Sequence, residues 1–457
     1  MTHTFAALLG GTALIAVSAA GWAQPQPAPA TAPAAGSVVA LADANRPLPT
    51  ARPEEVGMSS ERLARIDRIF RAEVDAGRLP GAVVMVARRG KLVYAESFGA
   101  QDKGAGTPMR TDSVFRIYSM TKPFASVAAM LLAEEGRLQL ADPVSKHLPE
   151  FKALQVSAPR ADALGQPTHG PVPAERQPTV QDLLRHTAGL AYGEITTNTP
   201  VRDAYTKAGL RKGEMDYNVT DLPPERFVQA LAAAPLAHQP GTVWEYSLGV
   251  DVLGQVVERV SGQRLGEFLD ERLFRPLGMR DTGFSVPAGK LARLAEALPS
   301  DPATGAPNRL IDVSRPPAFD SGGAGAVSTA GDYLRFGQML LNRGRLDGAM
   351  VLSPTTVALM TSDHLGTRIQ QRVEPGELLM GSPGYTFGLG FMVRRGPGVA
   401  SVPGSAGEFM WAGYSGPFFW VDPAEQLVAV MMSAAPGPSR AYYRREIKAL
   451  VHQAIVE

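Results

Sequence analysis

Ser119-Met120-Thr121-Lys122 sets a hydroxyl and an amine at i and i+3, on one face of any helix that carries them. A serine is a weak nucleophile at its own pKa and needs a base within hydrogen-bond reach, and an uncharged lysine can be that base. The run from Pro123 to Leu132 reads as a long apolar helix. Pro123 lacks an N–H and is tolerated only in the first helical turn, which predicts Ser119 at or near the helix start. There the unpaired N–H groups and the helix dipole favour a developing oxyanion. Lys122 would enter the core with that helix, so desolvation should lower its pKa. A capping serine beside a solvated lysine is the plainer reading of the same residues, and the pair alone does not decide.

Two further segments add to it. Tyr246 stands in the turn Pro240-Gly241-Thr242-Val243-Trp244-Glu245-Tyr246-Ser247-Leu248-Gly249, ahead of the apolar helix 250–257. A loop tyrosine can act as a base where a cation lowers its pKa, and Lys122 could supply that charge; a ring packed in the core is the alternative. Gly407-Glu408-Phe409-Met410-Trp411-Ala412-Gly413-Tyr414-Ser415-Gly416 precedes the last strands. Small residues there let a substrate approach the backbone, and an N–H from such an edge could share an oxyanion with that of Ser119. A tight turn with an aromatic plug is the competing reading.

The elements that must position these residues are legible at both chain ends. Ser59 and Ser60 can cap an amphipathic helix carrying Leu63, Ile66, Ile69 and Phe70 on one face, ended at Gly77. Residues 81–87 and 91–98 read as strands joined by Arg88, Arg89 and Gly90, a hairpin signal. Residues 418–421 and 427–432 repeat the pattern around Asp422-Pro423, and a last helix is predicted over about 439–455. Strands at both ends with terminal helices predict an α+β fold: one antiparallel sheet built from both chain ends and flanked by helices, with a mostly helical insertion between. Residues 153–178, 190–224 and 364–385 resist a regular reading, and loops of that length often shape binding sites.

Composition narrows the function. With 45 Lys plus Arg against 44 Asp plus Glu, no strong field draws the chain to nucleic acid or anionic membrane. Zero cysteine removes disulfides, thiol nucleophiles and thiolate metal sites together. Residues 5–20 are apolar and small, and small side chains precede Gln24, so 1–23 is expected to be a cleavable signal and the protein periplasmic or secreted. Its n-region carries only the terminal amine and His3, and a retained anchor is the alternative; the run is shorter than the roughly 20 residues a span needs. Pro- and Ala-rich residues 24–53 are expected to be a linker. No stable membrane insertion is expected after cleavage.

In their order, Ser119-x-x-Lys122, Tyr246 and Trp411-Ala412-Gly413 resemble the serine β-lactamase and penicillin-binding-protein superfamily, in its class C-like branch with the family VIII carboxylesterases. Leu183-Leu184-Arg185-His186-Thr187-Ala188-Gly189 looks like that branch's LLxHTxG motif, and residues 322–334 match a further segment. The resemblance covers roughly residue 54 to the end. It implies a β-lactamase/DD-peptidase-like domain over 54–457, with an α/β part at about 54–114 and 333–457, an all-helical part at about 115–332, and the site in the cleft between them. It also implies an acyl-enzyme on Ser119, with Lys122 as its base or as activator of Tyr246, and Tyr246 carrying the proton to the leaving group. The oxyanion hole would be the N–H groups of Ser119 and Tyr414. Trp411, Ala412 and Gly413 would bind substrate, and His186 would be structural near the site.

Departures from the pattern bear on substrate. Tyr246-Ser247 is followed by Leu248 where β-lactamases of this branch carry Asn, and Trp411-Ala412-Gly413 replaces Lys-Thr-Gly. The cation that would pair with a β-lactam carboxylate is thus an indole, a loss of about 1.5 to 3 kcal/mol in binding. An ester substrate is expected, with weak β-lactam hydrolysis beside it. A β-lactamase, a D-amino-acid peptidase on cell-wall peptides and a non-catalytic peptidoglycan-binding envelope protein are the alternatives. No serine sits in G-x-S-x-G, no H-E-x-x-H or Walker loop occurs, and the glycines at 322, 323 and 325 do not complete G-x-G-x-x-G. No cofactor, metal or nucleic-acid partner is expected, and the sequence leaves oligomeric state open.

Overall fold

The computed structural model describes residues 47–161, 164–213 and 217–457; the expected signal segment and most of the expected linker lie outside the described residues. The first helix, Ser60–Asp75, starts as predicted: the Ser59 side chain accepts from the Arg62 N–H, and Leu63, Ile66 and Phe70 are buried. The strands Gly81–Arg88 and Lys91–Asp102 follow. Arg89 and Gly90 link them with φ of 51° and 74°, both positive, as the right-handed twist of a two-residue hairpin requires.

An eight-stranded antiparallel sheet runs Tyr385–Phe387, Met392–Arg394, Phe409–Ala412, Phe418–Asp422, Leu427–Ser433, Gly81–Arg88, Lys91–Asp102, Thr107–Pro108. The two chain ends meet at its centre, where Met85 pairs with Val430 and Val83 with Met432. Every residue of 81–88 and 427–433 is buried, so both sheet faces are covered. Helices Ser60–Asp75 and Arg440–His452 pack together, while Ala330–Leu341 packs on strands 81–88, 418–422 and 427–433. This is the α+β architecture expected from the terminal patterns. The strand Phe409–Ala412 extends it, where sequence alone left open a tight turn.

Between the sheet's two halves of sequence lies the mainly helical region. Thr121–Glu134 is buried on all sides from Thr121 to Leu132 and packs against Gly249–Ser261, as an all-round apolar helix must. Residues 153–178 are not irregular: Gln155–Ala161 and Pro167–Pro173 form a two-stranded antiparallel hairpin. Within 190–224 lies the helix Thr199–Lys207, opened by Asn198, and within 364–385 the short helix Pro375–Met380. Among the described residues no helix is long and apolar enough to cross a membrane.

Candidate active site

Ser119 lies in the 3-10 turn Tyr118–Met120, which runs directly into the helix Thr121–Glu134. The turn is strained and held from several sides. Tyr118 has φ of 43°, a costly value for a bulky side chain. Its hydroxyl accepts from the Ile311 N–H at 2.9 Å, and the buried Tyr333 hydroxyl donates to the Met120 carbonyl at 2.8 Å. The segment 322–334 frames the same turn: Ile117 N–H donates to the Ala326 carbonyl at 3.0 Å, and Ala326 N–H to Thr121 Oγ1 at 3.0 Å.

The structure brings Ser119, Lys122 and Tyr246 together. The Tyr246 hydroxyl donates to Ser119 Oγ at 2.6 Å, and Lys122 Nζ stands 3.4 Å from the same oxygen. Lys122 is 1% exposed and donates to the Tyr192 hydroxyl at 2.9 Å and the Gly323 carbonyl at 2.8 Å. Burial lowers its pKa to about 7, against a smaller upward pull from Asp251. Tyr246 departs from expectation: burial raises its pKa above the ordinary tyrosine value, and this outweighs the hydrogen bond to Ser119. At neutral pH it is therefore a proton donor, not an anion. Lys122 Nζ lies 4.7 Å from the Tyr246 ring centroid, against the ring face.

Sequence reasoning missed two side chains around Lys122, Asp251 and Tyr192. Asp251, 1% exposed, accepts from the Ser321 hydroxyl and from the Gly323 N–H at 3.2 Å, while its Oδ2 meets no donor among the described residues. Burial raises its pKa, partly countered by Lys122. Its signal was there to read, a lone acid inside the apolar helix 250–257. The glycine at 323 follows from it: a Cβ there would come within 2.1 Å of Asp251 Oδ2. Tyr192 sits in a stretch with no readable pattern, and nothing in its neighbours announced it.

The LLxHTxG-like segment anchors the loop that carries Tyr246. The His186 carbonyl accepts from Glu245 N–H at 3.1 Å, and Thr187 accepts from Gly241 N–H at 2.7 Å. The His186 ring is buried, its Nδ1 3.1 Å from Ser247 Oγ, and it meets the Tyr246 ring in a T-shaped contact at 4.9 Å. Burial, with the Lys122 charge second, holds its pKa well below the ordinary histidine value. A buried neutral imidazole here braces the loop, and no hydrogen bond joins it to Ser119.

Gly413 brings the end of the strand Phe409–Ala412 against the serine turn, since a Cβ there would sit 2.3 Å from the Ile117 carbonyl. Ser415 Oγ donates to the Arg116 carbonyl at 2.6 Å and ties the two segments. Ser119, Tyr246 and the run Trp411 to Tyr414 line one cavity of about 200 Å³. Trp411 is 1% exposed, its ring between Tyr246 and Phe387 at 5.4 and 5.2 Å. Tyr192, Ile195, Tyr217, Leu378 and Leu379 add walls from 190–224 and 364–385. The hairpin in 153–178 contributes no described lining residue, a correction to its expected role. It pairs instead beside Leu236, through Val156. The terminal helix supplies Arg440, Ala441 and Arg444, which sequence reasoning did not place there.

Comparison with known proteins agrees with this geometry. The Beta-lactamase family profile matches residues 66–453. Protein Rv1367c of Mycobacterium tuberculosis is 39% identical over 371 residues, covering 79% of this chain and 88% of its own. Esterase EstB of Burkholderia gladioli is 34% identical over 389 residues, 81% of this chain and 90% of its own. Among solved structures, EstCE1, described as a hydrolase with promiscuous acyltransferase activity, superposes with a TM-score of 0.68 at 29% identity, over 87% of this chain and 99% of its own. By sequence and by fold, the chain belongs to the Beta-lactamase family of serine hydrolases.

Proposed function

We propose that this protein is a carboxylesterase that forms an acyl-enzyme on Ser119, with Lys122 as general base and Tyr246 as the acid for the leaving group. The observation that carries the reading is the state of Lys122: buried, with a pKa of about 7, and beside the serine oxygen. A neutral lysine amine has two N–H donors and one lone pair. Gly323 and Tyr192 take the two donors, which leaves the lone pair for the Ser119 proton. Ser119 Oγ then adds to the ester carbonyl as its proton passes to Lys122 Nζ. The N–H groups of Ser119 and Tyr414 would hold the oxyanion. Collapse expels the alkoxide, which takes a proton from Tyr246, and Lys122 restores it. Water repeats the sequence in reverse roles and releases the acid.

The preference for esters rests on what lines the cavity. Leu248 is 2% exposed and is not among the lining residues, so no amide faces a β-lactam side chain at that position. Aromatic rings and Leu378 and Leu379 suit an apolar acyl or alcohol group. Esterase EstB, by its name, points the same way. β-Lactams are proposed as slow side substrates. A peptidoglycan-binding protein without activity would have no use for an uncharged lysine at a serine. Export to the periplasm or medium is part of the proposal and rests on the apolar run at 5–20.

The test is intact-protein mass and product release for wild type and Ser119→Ala with a fluorophosphonate, a short-chain p-nitrophenyl ester and nitrocefin. Ester turnover and a single adduct in wild type, both absent in Ser119→Ala, are expected, with nitrocefin slower. A wild type that forms no adduct and turns over no ester would end the esterase reading. Nitrocefin turned over faster than the ester would move the assignment to a β-lactamase.

A further inference from the structure

The terminal helix turns two guanidinium groups, Arg440 and Arg444, to the cavity that holds Ser119. Arg444 is 5% exposed, yet its hydrogen bonds go to backbone carbonyls: Nη2 donates to Gly413 at 2.8 Å and Nη1 to Leu379 at 2.9 Å. Its Nε meets no acceptor among the described residues. Burial and the neighbouring Arg440 cation both weigh against its charge. Arg440 donates to the Tyr414 carbonyl at 3.0 Å and lies over the Tyr414 ring, 4.7 Å from its centroid.

The carbonyl of Gly413 and the N–H of Tyr414 are the two ends of one planar peptide unit. A cation on the carbonyl oxygen draws electron density along the amide and makes the N–H at its far end a stronger donor. It also fixes the plane in which that N–H points. The close approach of Gly413 to Ile117 and the bond from Gly413 N–H to the Pro417 carbonyl at 2.8 Å fix the residue at which this unit begins, and Gly416 N–H donates to the same Gly413 carbonyl at 3.2 Å. Elsewhere under the sheet the buried Arg394 is paired with the Glu408 carboxylate at 3.2 Å. No ion pair to a carboxylate joins Arg444 among the described residues; its bonded N–H groups serve backbone carbonyls only.

We propose that Arg444 is a positioning residue of the oxyanion hole, orienting and polarising the Gly413–Tyr414 peptide whose N–H stabilises the tetrahedral intermediate at Ser119. The inference rests on the Ser119 acyl-enzyme reading, with Tyr414 as an oxyanion donor.

The experiment compares wild type, Arg444→Met and Arg444→Lys, each normalised to active sites titrated with a fluorophosphonate, so that misfolded protein drops out. For a p-nitrophenyl ester, kcat per site should fall about 10²-fold in Arg444→Met with KM little changed, the loss of an oxyanion donor. Arg444→Lys restores a cation with a shorter reach, and should recover part of kcat. Affinity for an alkyl boronic acid, whose adduct carries the oxyanion, should weaken in step with kcat. A role in packing alone would lower Tm and the titrated fraction and leave kcat per site and boronate affinity in place. Values of kcat per site in Arg444→Met within about fivefold of wild type overturn the proposal. Should Arg444→Met not fold, Arg444→Gln, which also removes the cation, is judged by the same threshold. Loss of the whole mechanism is separable: if Ser119→Ala still turns over the ester, the acyl-enzyme reading fails whatever Arg444 does.

Discussion

Two buried lysines set the chemistry apart from the scaffold. Lys448 is 0% exposed and pairs with Glu408 at 2.5 Å, beside His452 and Arg394, beneath the ring of Trp420. Lys122 is buried as deeply, but its hydrogen bonds go to a carbonyl and to hydroxyl groups, and the nearest acid acts on it only at a distance. Desolvation lowers the pKa of both, and Glu408 opposes the fall at Lys448. A buried ammonium with a carboxylate against it keeps its proton and ties the terminal helix to the sheet. One without such a partner, next to a serine, is free to exchange its proton near neutral pH. Burial alone would rank the two alike; the partner distinguishes them.

The largest expected break of that comparison is Lys122→Met. Removing the base should lower kcat/KM for a p-nitrophenyl ester by about 10³-fold, measured against titrated active sites. The same variant should be more stable than wild type. Between pH 7 and the ordinary lysine value of 10.5 the folded state binds fewer protons at this site than the unfolded state. Stability of wild type therefore rises with pH across that window. The Tm gain of Lys122→Met should be greatest below pH 7 and shrink as pH approaches 10.5, read by thermal melts in a pH series.

Lys448→Met should do the reverse. It leaves Glu408 buried with its strongest partner gone, which should cost about 3 kcal/mol of stability, measured by urea unfolding, while kcat per titrated site stays near wild type. A Lys448→Met enzyme that folded well and lost its turnover would erase the division drawn between the two lysines. Tyr246→Phe sharpens it further on the Ser119 side. An alkoxide leaving group needs the Tyr246 proton more than p-nitrophenolate does, so the loss should be about 10²-fold for an ethyl ester and about tenfold for the aryl ester. Equal losses would assign Tyr246 to orienting Ser119 only.

The same contrast marks what the sequence could reveal. The four central strands were legible because they are runs of mainly apolar residues joined by turns at 89–90 and 423–426, and the helix at 60–75 because it opens with a serine cap; the short edge strands were not. Ser119 and Lys122 were legible through a fixed spacing on one helix, and Tyr246 and Trp411 through the order of segments. Asp251, Tyr192 and Arg444 were not, because each acts across the fold. Asp251 reaches Gly323, 72 positions away, and Arg444 reaches Gly413, 31 away. Nothing local distinguishes Arg444 from the half-buried Arg440 and Arg445 on the same basic helix. The hairpin 155–173 was hidden by its proline and glycine content, which reads as loop until the two halves pair.

The central claim is that Lys122, uncharged near neutral pH, activates Ser119. Its most direct test is the second-order rate of fluorophosphonate labelling from about pH 5 to about pH 9, since labelling needs the activated serine but little help for the fluoride that leaves. The rate should climb nearly tenfold per pH unit and level off above an inflection at about pH 7, and Lys122→Met should lose the inflection with most of the rate. A rate still climbing about tenfold per unit at pH 9, as an amine at the ordinary lysine value of 10.5 would give, or a wild-type profile that Lys122→Met reproduces, would contradict the account.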